Sequence, residues 1–316
     1  DNPYQLIGQA VNAAAPGDTV VIEEGTYTTT NQVVSPFPIN INKELTISGV
    51  SRGDVVIDAE YGTNNIFDIT SPGVTVQSIT FQGYDQNIGG RAIAIDITDG
   101  SVVVDDCLFD GQENSWSPMI TSGNNADIMV SHSIFVNNRS EAVHFNGATN
   151  DVSVTFQKNA VYATTDSPLG MGPIAGPFAA DTGNLTVNVY NNILSNLTSG
   201  VVIFNWSNSG ATNTGNVVNN TIIGNNIGLD VNDTNTNSTV TNNIFVNNSA
   251  GANGGDFSGT PGTATLSYND FFGNVSNYSD ITAGGSDIME DPLLINTEGD
   301  VTTHNYYLIP GSPAID

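Results

Sequence analysis

The chain has 316 residues, with five Lys plus Arg against 32 Asp plus Glu and a formal net charge of −27. So acidic a surface repels nucleic-acid phosphates and anionic lipid, so no nucleic-acid partner is expected. No 18-residue apolar run is present to span a membrane, no basic apolar leader is visible, and the single cysteine, Cys107, permits no internal disulfide. A start at Asp1 without Met fits an exported protein with its leader removed, located outside the cell or on its surface.

In chain order, the first element predicted is a helix within residues 1–15, with Asp1 or Asn2 as cap and Pro3 at the first helical position. Its apolar residues Ile7, Ala10, Val11 and Ala14 fall at helical spacing, so it would cover the open edge of whatever follows. From Ser78-Ile79-Thr80-Phe81 onward a polar residue followed by a short apolar run recurs every 22 to 32 positions. The copies are Asp106-Cys107-Leu108-Phe109, His132-Ser133-Ile134-Phe135, Asn159-Ala160-Val161-Tyr162, Asn191-Asn192-Ile193-Leu194, Asn220-Thr221-Ile222-Ile223, Asn242-Asn243-Ile244-Phe245 and Asn269-Asp270-Phe271-Phe272. A period of that length defines a solenoid, in which no repeat buries its apolar face alone.

Between these copies lie two further alternating segments, such as Glu141–Phe145 and Val152–Phe156, giving three short strands per coil. The fold class is therefore all-β: a parallel β-helix with three short strands per coil and an N-terminal capping helix. Stacked asparagines can exchange amide hydrogen bonds from coil to coil and tolerate the left-handed backbone of a tight turn. His132 is placed in that ladder beside Asp106, and Cys107 reads as a small buried core residue. The solenoid forms one domain over 1–316. Residues 164–183 are expected to be a loop thrown out from one coil, with Met171, Ile174 and Phe178 as candidate assembly contacts, and 286–316 form a closing segment. Ten Asn-x-Ser/Thr sequons occur, about as many as this composition gives by chance.

The opening Ile7–Ile22 with Gly25-Thr26-Tyr27, the ladder, and the closing Leu308–Asp316 resemble the right-handed parallel β-helix, or pectin-lyase-like, superfamily. That superfamily includes pectate lyases, pectin methylesterases and many archaeal and bacterial surface proteins, the last being the nearest in kind. The resemblance implies a right-handed solenoid, and places catalytic groups of enzyme members on the outer face of the strand after the ladder and its next turn. It also implies that lyases of this fold use Arg or Lys as base, with calcium or other cations neutralising the substrate acid.

Here those strands are Arg91–Asp96, Glu141–Asn146, Gly200–Asn205 and Ile227–Asn232. If Ile93, Val143, Val202 and Leu229 face the core, then Ala94, His144, Ile203 and Asp230 point outward on neighbouring rungs. Arg91 and Glu141 would flank that face, and Trp206 could stack on a sugar ring. The candidate catalytic set is thus His144, Glu141, Arg91 and Asp230. A glycosidase needs two carboxylates, which Asp105, Asp106, Asp110, Glu113 and Glu141 could supply. Calcium is a candidate ligand at Asp230-Val231-Asn232-Asp233, whose spacing matches no calcium loop.

The motifs of polygalacturonases and pectin methylesterases are absent. This favours a noncatalytic extracellular structural protein, self-associating into a filament, sheath or surface layer through strand edges at a last coil without a capping helix. The alternative is a carbohydrate-active enzyme, a polysaccharide lyase or glycoside hydrolase, with a polysaccharide partner.

Overall fold

A computed structural model describes residues 4–32, 37–62, 64–84, 94–112, 117–124, 126–145, 150–164, 183–204, 211–255, 261–296 and 305–315. Its strands stack into three walls. The first holds ten strands from Thr19–Ile22 to Thr263–Ser267, and the second ten from Gly25–Thr28 to Asp270–Phe272. The third comes in two blocks. One runs from Ile39–Ile41 through Phe67–Ile69, Ile95–Asp99 and Met119–Asn124 to Val143–Phe145; the other comprises Ser199–Phe204, Ile227–Asn232, Ala250–Asn253 and Ser276–Ser279. All pairings between these strands are parallel, with each strand meeting its counterpart one coil away. This is the parallel β-helix that the sequence predicts.

The strands form because apolar residues alternate with polar ones. Val152–Gln157 and Leu185–Tyr190 are each buried at every second position. Stacked coils merge these inward side chains into one cluster running from Ile7 to Phe271. Within it Phe81, Phe109 and Phe135 stack with centroids 5.1 and 4.7 Å apart, and Phe245 lies 4.6 Å from Phe271 at an interplanar angle of 4°. Cys107 is fully buried, and burial pushes its thiol up to about 12, as expected of a core residue.

The ladder departs from the predicted superposition by one residue. Ile134 pairs with Ala160 and Ile193 with Thr221, so the inward column runs Cys107, Ser133, Asn159, Asn192, Asn220, Asn243 and Asn269. Each amide serves two coils: Asn220 Oδ1 accepts from the Asn192 N–H at 2.9 Å, while Asn220 Nδ2 donates to Asn243 Oδ1 at 2.9 Å and to the Val189 carbonyl at 2.9 Å. The residues just before this column, Asp106, His132, Lys158, Asn191, Asn219, Asn242 and Tyr268, sit at φ between 49° and 59°, in the left-handed region. Asparagine occupies both columns at 191–192, 219–220 and 242–243, so alignment by asparagine alone has no unique phase. His132 consequently lies outside the ladder, exposed, with Nδ1 2.8 Å from Asp105 Oδ1. A second ladder at the following turn, Asn225, Asn248 and Asn274, repeats the geometry: Asn225 Nδ2 donates to Asn248 Oδ1 at 3.0 Å.

The helix is shorter than predicted, spanning Ile7–Ala13. Its first N–H groups need an acceptor. Leu6 at the cap has no side-chain oxygen, and the buried Gln32 supplies one, its Oε1 accepting from Ile7 N–H at 3.0 Å. At the other end Lys43 Nζ donates to the carbonyls of Asn12 and Ala14 at 3.1 and 2.6 Å. Ile7 and Val11 are buried against the first coil, with Ala10 and Ala14 packed beside them. None of the described helices is long and apolar enough to cross a membrane.

The last coil is not left open at the ladder. Ile288 bridges to Asp270 in parallel, its N–H donating to the Asn269 carbonyl at 2.8 Å and its carbonyl accepting from Phe271 N–H at 2.9 Å. Asp287 takes the place of the next asparagine, its Oδ1 accepting from Asn269 N–H and Nδ2 at 2.9 and 3.1 Å. The expectation of an uncovered terminal coil is corrected there: a short loop supplies the acceptors that a capping helix would otherwise shield. Leu294–Asn296 and Asn305–Leu308 then form an antiparallel pair.

Candidate active site on the third wall

The third wall follows the ladder and the turn after it. In its N-terminal block Ile95, Met119 and Val143 pair in register and face the core. The alternate positions are Asn40, Asp68, Asp96, Ile120 and His144, one per rung. In the C-terminal block Val201 pairs with Leu229 and Ile203 with Val231 toward the core, leaving Val202, Asp230 and Asn253 in the outward column.

The predicted outward set is therefore right for His144 and Asp230 and wrong for Ala94 and Ile203, both of which belong to the core. Val202, predicted inward, is the outward one. The reason is local: residues 201–204 are all apolar, so alternation there carries no phase. His144 and Asp230 also belong to different blocks, and no described pairing joins them. Arg91, Glu113, Trp206, Met171, Ile174 and Phe178 lie outside the described residues, as does His304.

Asp230 is fully buried. Its Oδ1 accepts from Asn232 Nδ2 at 2.6 Å and from Asn253 Nδ2 at 3.4 Å, which engages that oxygen inside the wall. Beside it Val202 and Phe204 form a separate buried apolar pair on the same face. Among the described residues no group of three or more His, Cys, Asp or Glu is arranged to hold a metal ion.

Glu141 and His144 do come together. His144 Nδ1 lies 3.3 Å from Glu141 Oε2, which also accepts from Ser117 Oγ at 2.9 Å and from Ser140 Oγ. Burial would raise the Glu141 carboxyl, but the hydrogen bond and charge of His144, with the Ser140 hydroxyl, hold it down to about 2. A carboxylate so committed does not exchange protons near neutrality. It orients His144, which is 8% exposed.

The carboxylate pair that the sequence reading missed is Asp68 and Asp96. They occupy the same register position on adjacent rungs, about 4.8 Å apart along the stack. One amide nitrogen, Asn65 Nδ2, lies 2.7 Å from Asp68 Oδ1 and 3.5 Å from Asp96 Oδ2. Partial burial, followed by the charge of Asp68, pushes the Asp96 carboxyl up to about 6. Both side chains remain partly exposed. The available signal was a repeated triplet, Phe67-Asp68-Ile69 and Ile95-Asp96-Ile97, with an acid between two core residues. The paired aspartates that attracted notice, Asp105 and Asp106, serve the turn: Asp105 accepts from Ser131 Oγ at 2.7 Å, and Asp106 pairs with Arg52 at 3.0 Å.

No protein-family model matches the chain, and no curated protein matches it in sequence. Its solved structural neighbours are pectin-lyase-like β-helices. An alginate lyase, AlyF-OU02 with G6, is 14% identical with a TM-score of 0.45, over 97% of this chain and 88% of that one. The catalytic domain of a GH87 α-1,3-glucanase in complex with nigerose is 12% identical at 0.45, over 92% and 65%. The PL6 family polysaccharide lyase Pedsa3628 from Pseudopedobacter saltans is 12% identical at 0.43, over 96% and 94%. At this distance the likeness is one of fold.

Proposed function

We propose that the chain is a carbohydrate-active enzyme, a glycoside hydrolase whose centre is the Asp68–Asp96 pair. The observation that carries this reading is two partly exposed carboxyl groups on adjacent rungs, one of them raised to about 6. Glycoside hydrolysis requires one protonated acid to donate to the leaving oxygen and one carboxylate to meet the developing positive charge at the sugar carbon. Asp96 is suited to the first role and Asp68 to the second, with Asn65 fixing their separation. Carboxyl groups about 5–5.5 Å apart go with a covalent glycosyl intermediate and retained configuration, whereas a wider gap leaves room for a directly attacking water. The adjacent-rung placement favours retention. His144 lies two rungs beyond Asp96, roughly 10 Å along the stack, where it would contact a neighbouring sugar.

The lyase alternative is less favoured, since the outward column of the described block carries no Lys or Arg to act as base. The assembly reading loses part of its support, since Ile288 and Asp287 cover the ladder end of the last coil. An extracellular location accords with a polysaccharide substrate and an acidic surface.

The test is hydrolysis of a panel of neutral glycans and uronans, followed by reducing-end release and by ultraviolet absorbance of unsaturated products. Reducing ends without unsaturation, lost in Asp96→Asn and Asp68→Asn, are expected. Unsaturated products would replace the reading with a lyase, and no turnover of any glycan by folded protein would sink it.

A further inference from the structure

A second site lies on a different face. Where the ladder turn meets the second wall near the C-terminus, the strand Asn305–Leu308 and the residues after it enclose a cleft of about 490 Å³. Tyr268 and Tyr307 line it while 68% and 76% exposed. Tyr268 sits at φ 56°, a left-handed conformation that a bulky residue rarely adopts, and is held there by the same turn that places Asn242 and Asn219 one and two coils before it. These three outward side chains repeat at the rung spacing of about 4.8 Å. The Asn219 and Asn242 amides line the cleft and have no side-chain hydrogen bond to any described residue. Asp270, 2% exposed, borders the same cleft, and its Oδ2 has no hydrogen-bond partner among the described residues. Among the described residues no Lys, Arg or His lines the cleft.

We propose that this cleft is a binding site for a neutral glycan chain, separate from the third-wall centre. The two exposed phenol rings supply flat apolar faces for the C–H face of a sugar ring. The Asn219 and Asn242 amides offer both donors and acceptors to hydroxyl groups on successive sugars. The Asp270 carboxylate, with Glu290 and Asp291 near it and no Lys, Arg or His among the described lining residues, disfavours a uronate, whose charge would meet like charge. The site does not depend on hydrolysis at Asp68 and Asp96: a chain held along the second wall would stay tethered whether or not the third wall cleaves it.

The experiment is isothermal titration of Asp96→Asn protein with three neutral hexasaccharides, cellohexaose, laminarihexaose and mannohexaose, and with a hexauronide. The expected result is saturable binding of at least one neutral hexasaccharide, weakened tenfold or more by Tyr268→Asn and by Tyr307→Ala, with the hexauronide bound more weakly. Asparagine already occupies the equivalent positions 219 and 242, so Tyr268→Asn keeps the turn; unchanged circular dichroism verifies this. Failure of every neutral hexasaccharide to bind, or affinity unaltered in the Tyr268→Asn/Tyr307→Ala double variant, overturns the proposal, as does tighter binding of the hexauronide. Because binding is read on a hydrolysis-deficient variant, these results leave the Asp68–Asp96 reading to its own assay.

Discussion

The two blocks of the third wall share a backbone and treat their outward carboxylates in opposite ways. In the N-terminal block Asp68 and Asp96 stay partly exposed, and Asp96 is poised to hold a proton to about pH 6. In the C-terminal block Asp230 is fully enclosed, bonded to Asn232 and Asn253 and flanked by buried Val202 and Phe204. Rung position alone therefore does not make an acid reactive. What covers the wall decides whether an outward carboxylate is available to a substrate or serves as an internal hydrogen-bond acceptor.

The sharpest way to break this comparison is to neutralise both acids. Asp96→Asn should lower kcat about a thousand-fold, the scale of general acid catalysis, with the fold unchanged by circular dichroism. Asp230→Ala should leave kcat per folded molecule within twofold and instead cost about 1–3 kcal/mol in urea unfolding, since it strips acceptors from buried amides. Equal kinetic losses in the two variants would erase the distinction between the blocks.

A similar contrast holds within the ladder turn. Asn220→Ala should cost about 3 kcal/mol, leaving the Asn192 and Val189 groups unpaired, whereas Asn219→Ala, one residue earlier and exposed, should stay within about 1 kcal/mol.

Two acids of the N-terminal block, Asp96 and Glu141, also respond oppositely to pH. Asp96 is raised, so the folded state holds more protons than the unfolded state between the ordinary 3.8 and about 6, and its stability contribution fades as pH rises through that window. Glu141 is depressed, so its contribution is present above 4.5 and lost as pH falls toward about 2. Thermal unfolding against pH should lose part of its decline between pH 4 and 6 in Asp96→Asn, the rest belonging to Asp270, which burial likewise raises to about 6, and its acid-side fall should weaken in Glu141→Gln. Hydrolysis should also drop as pH rises past about 6. The smallest effect is expected at Arg52→Ala, which removes a partly exposed ion pair with Asp106 worth about 0–1 kcal/mol.

Much of the fold is legible in the sequence because its signals repeat. The apolar runs after each turn reveal the period, and the stripe Ile7, Ala10, Val11, Ala14 reveals the helix that covers the first coil. Phase is harder to read. Strands of three residues, such as Phe67–Ile69, offer one outward position each, and a one-residue slip exchanges core and surface. Val201–Phe204 gives no alternation to set the slip, and asparagine fills both ladder columns at 191–192, 219–220 and 242–243. The Glu141–His144 contact was within reach because both residues lie on one short segment. Asp68 with Asp96, like Gln32 at the helix start, meets its partner only through the stacking of coils, which no local pattern records.

The ladder also has a direction. Each amide passes its N–H toward the C-terminus, from Asn192 to Asn220, Asn243 and Asn269, and the last receiver is Asp287. A carboxylate takes a hydrogen and has none to hand on. A duplicated repeat spliced in anywhere before Asp287 would find a donor behind it and an acceptor ahead, and the rod would simply lengthen. A repeat appended after Asp287 would find no donor waiting, so that residue works as a full stop that fixes where this solenoid can grow and where it ends.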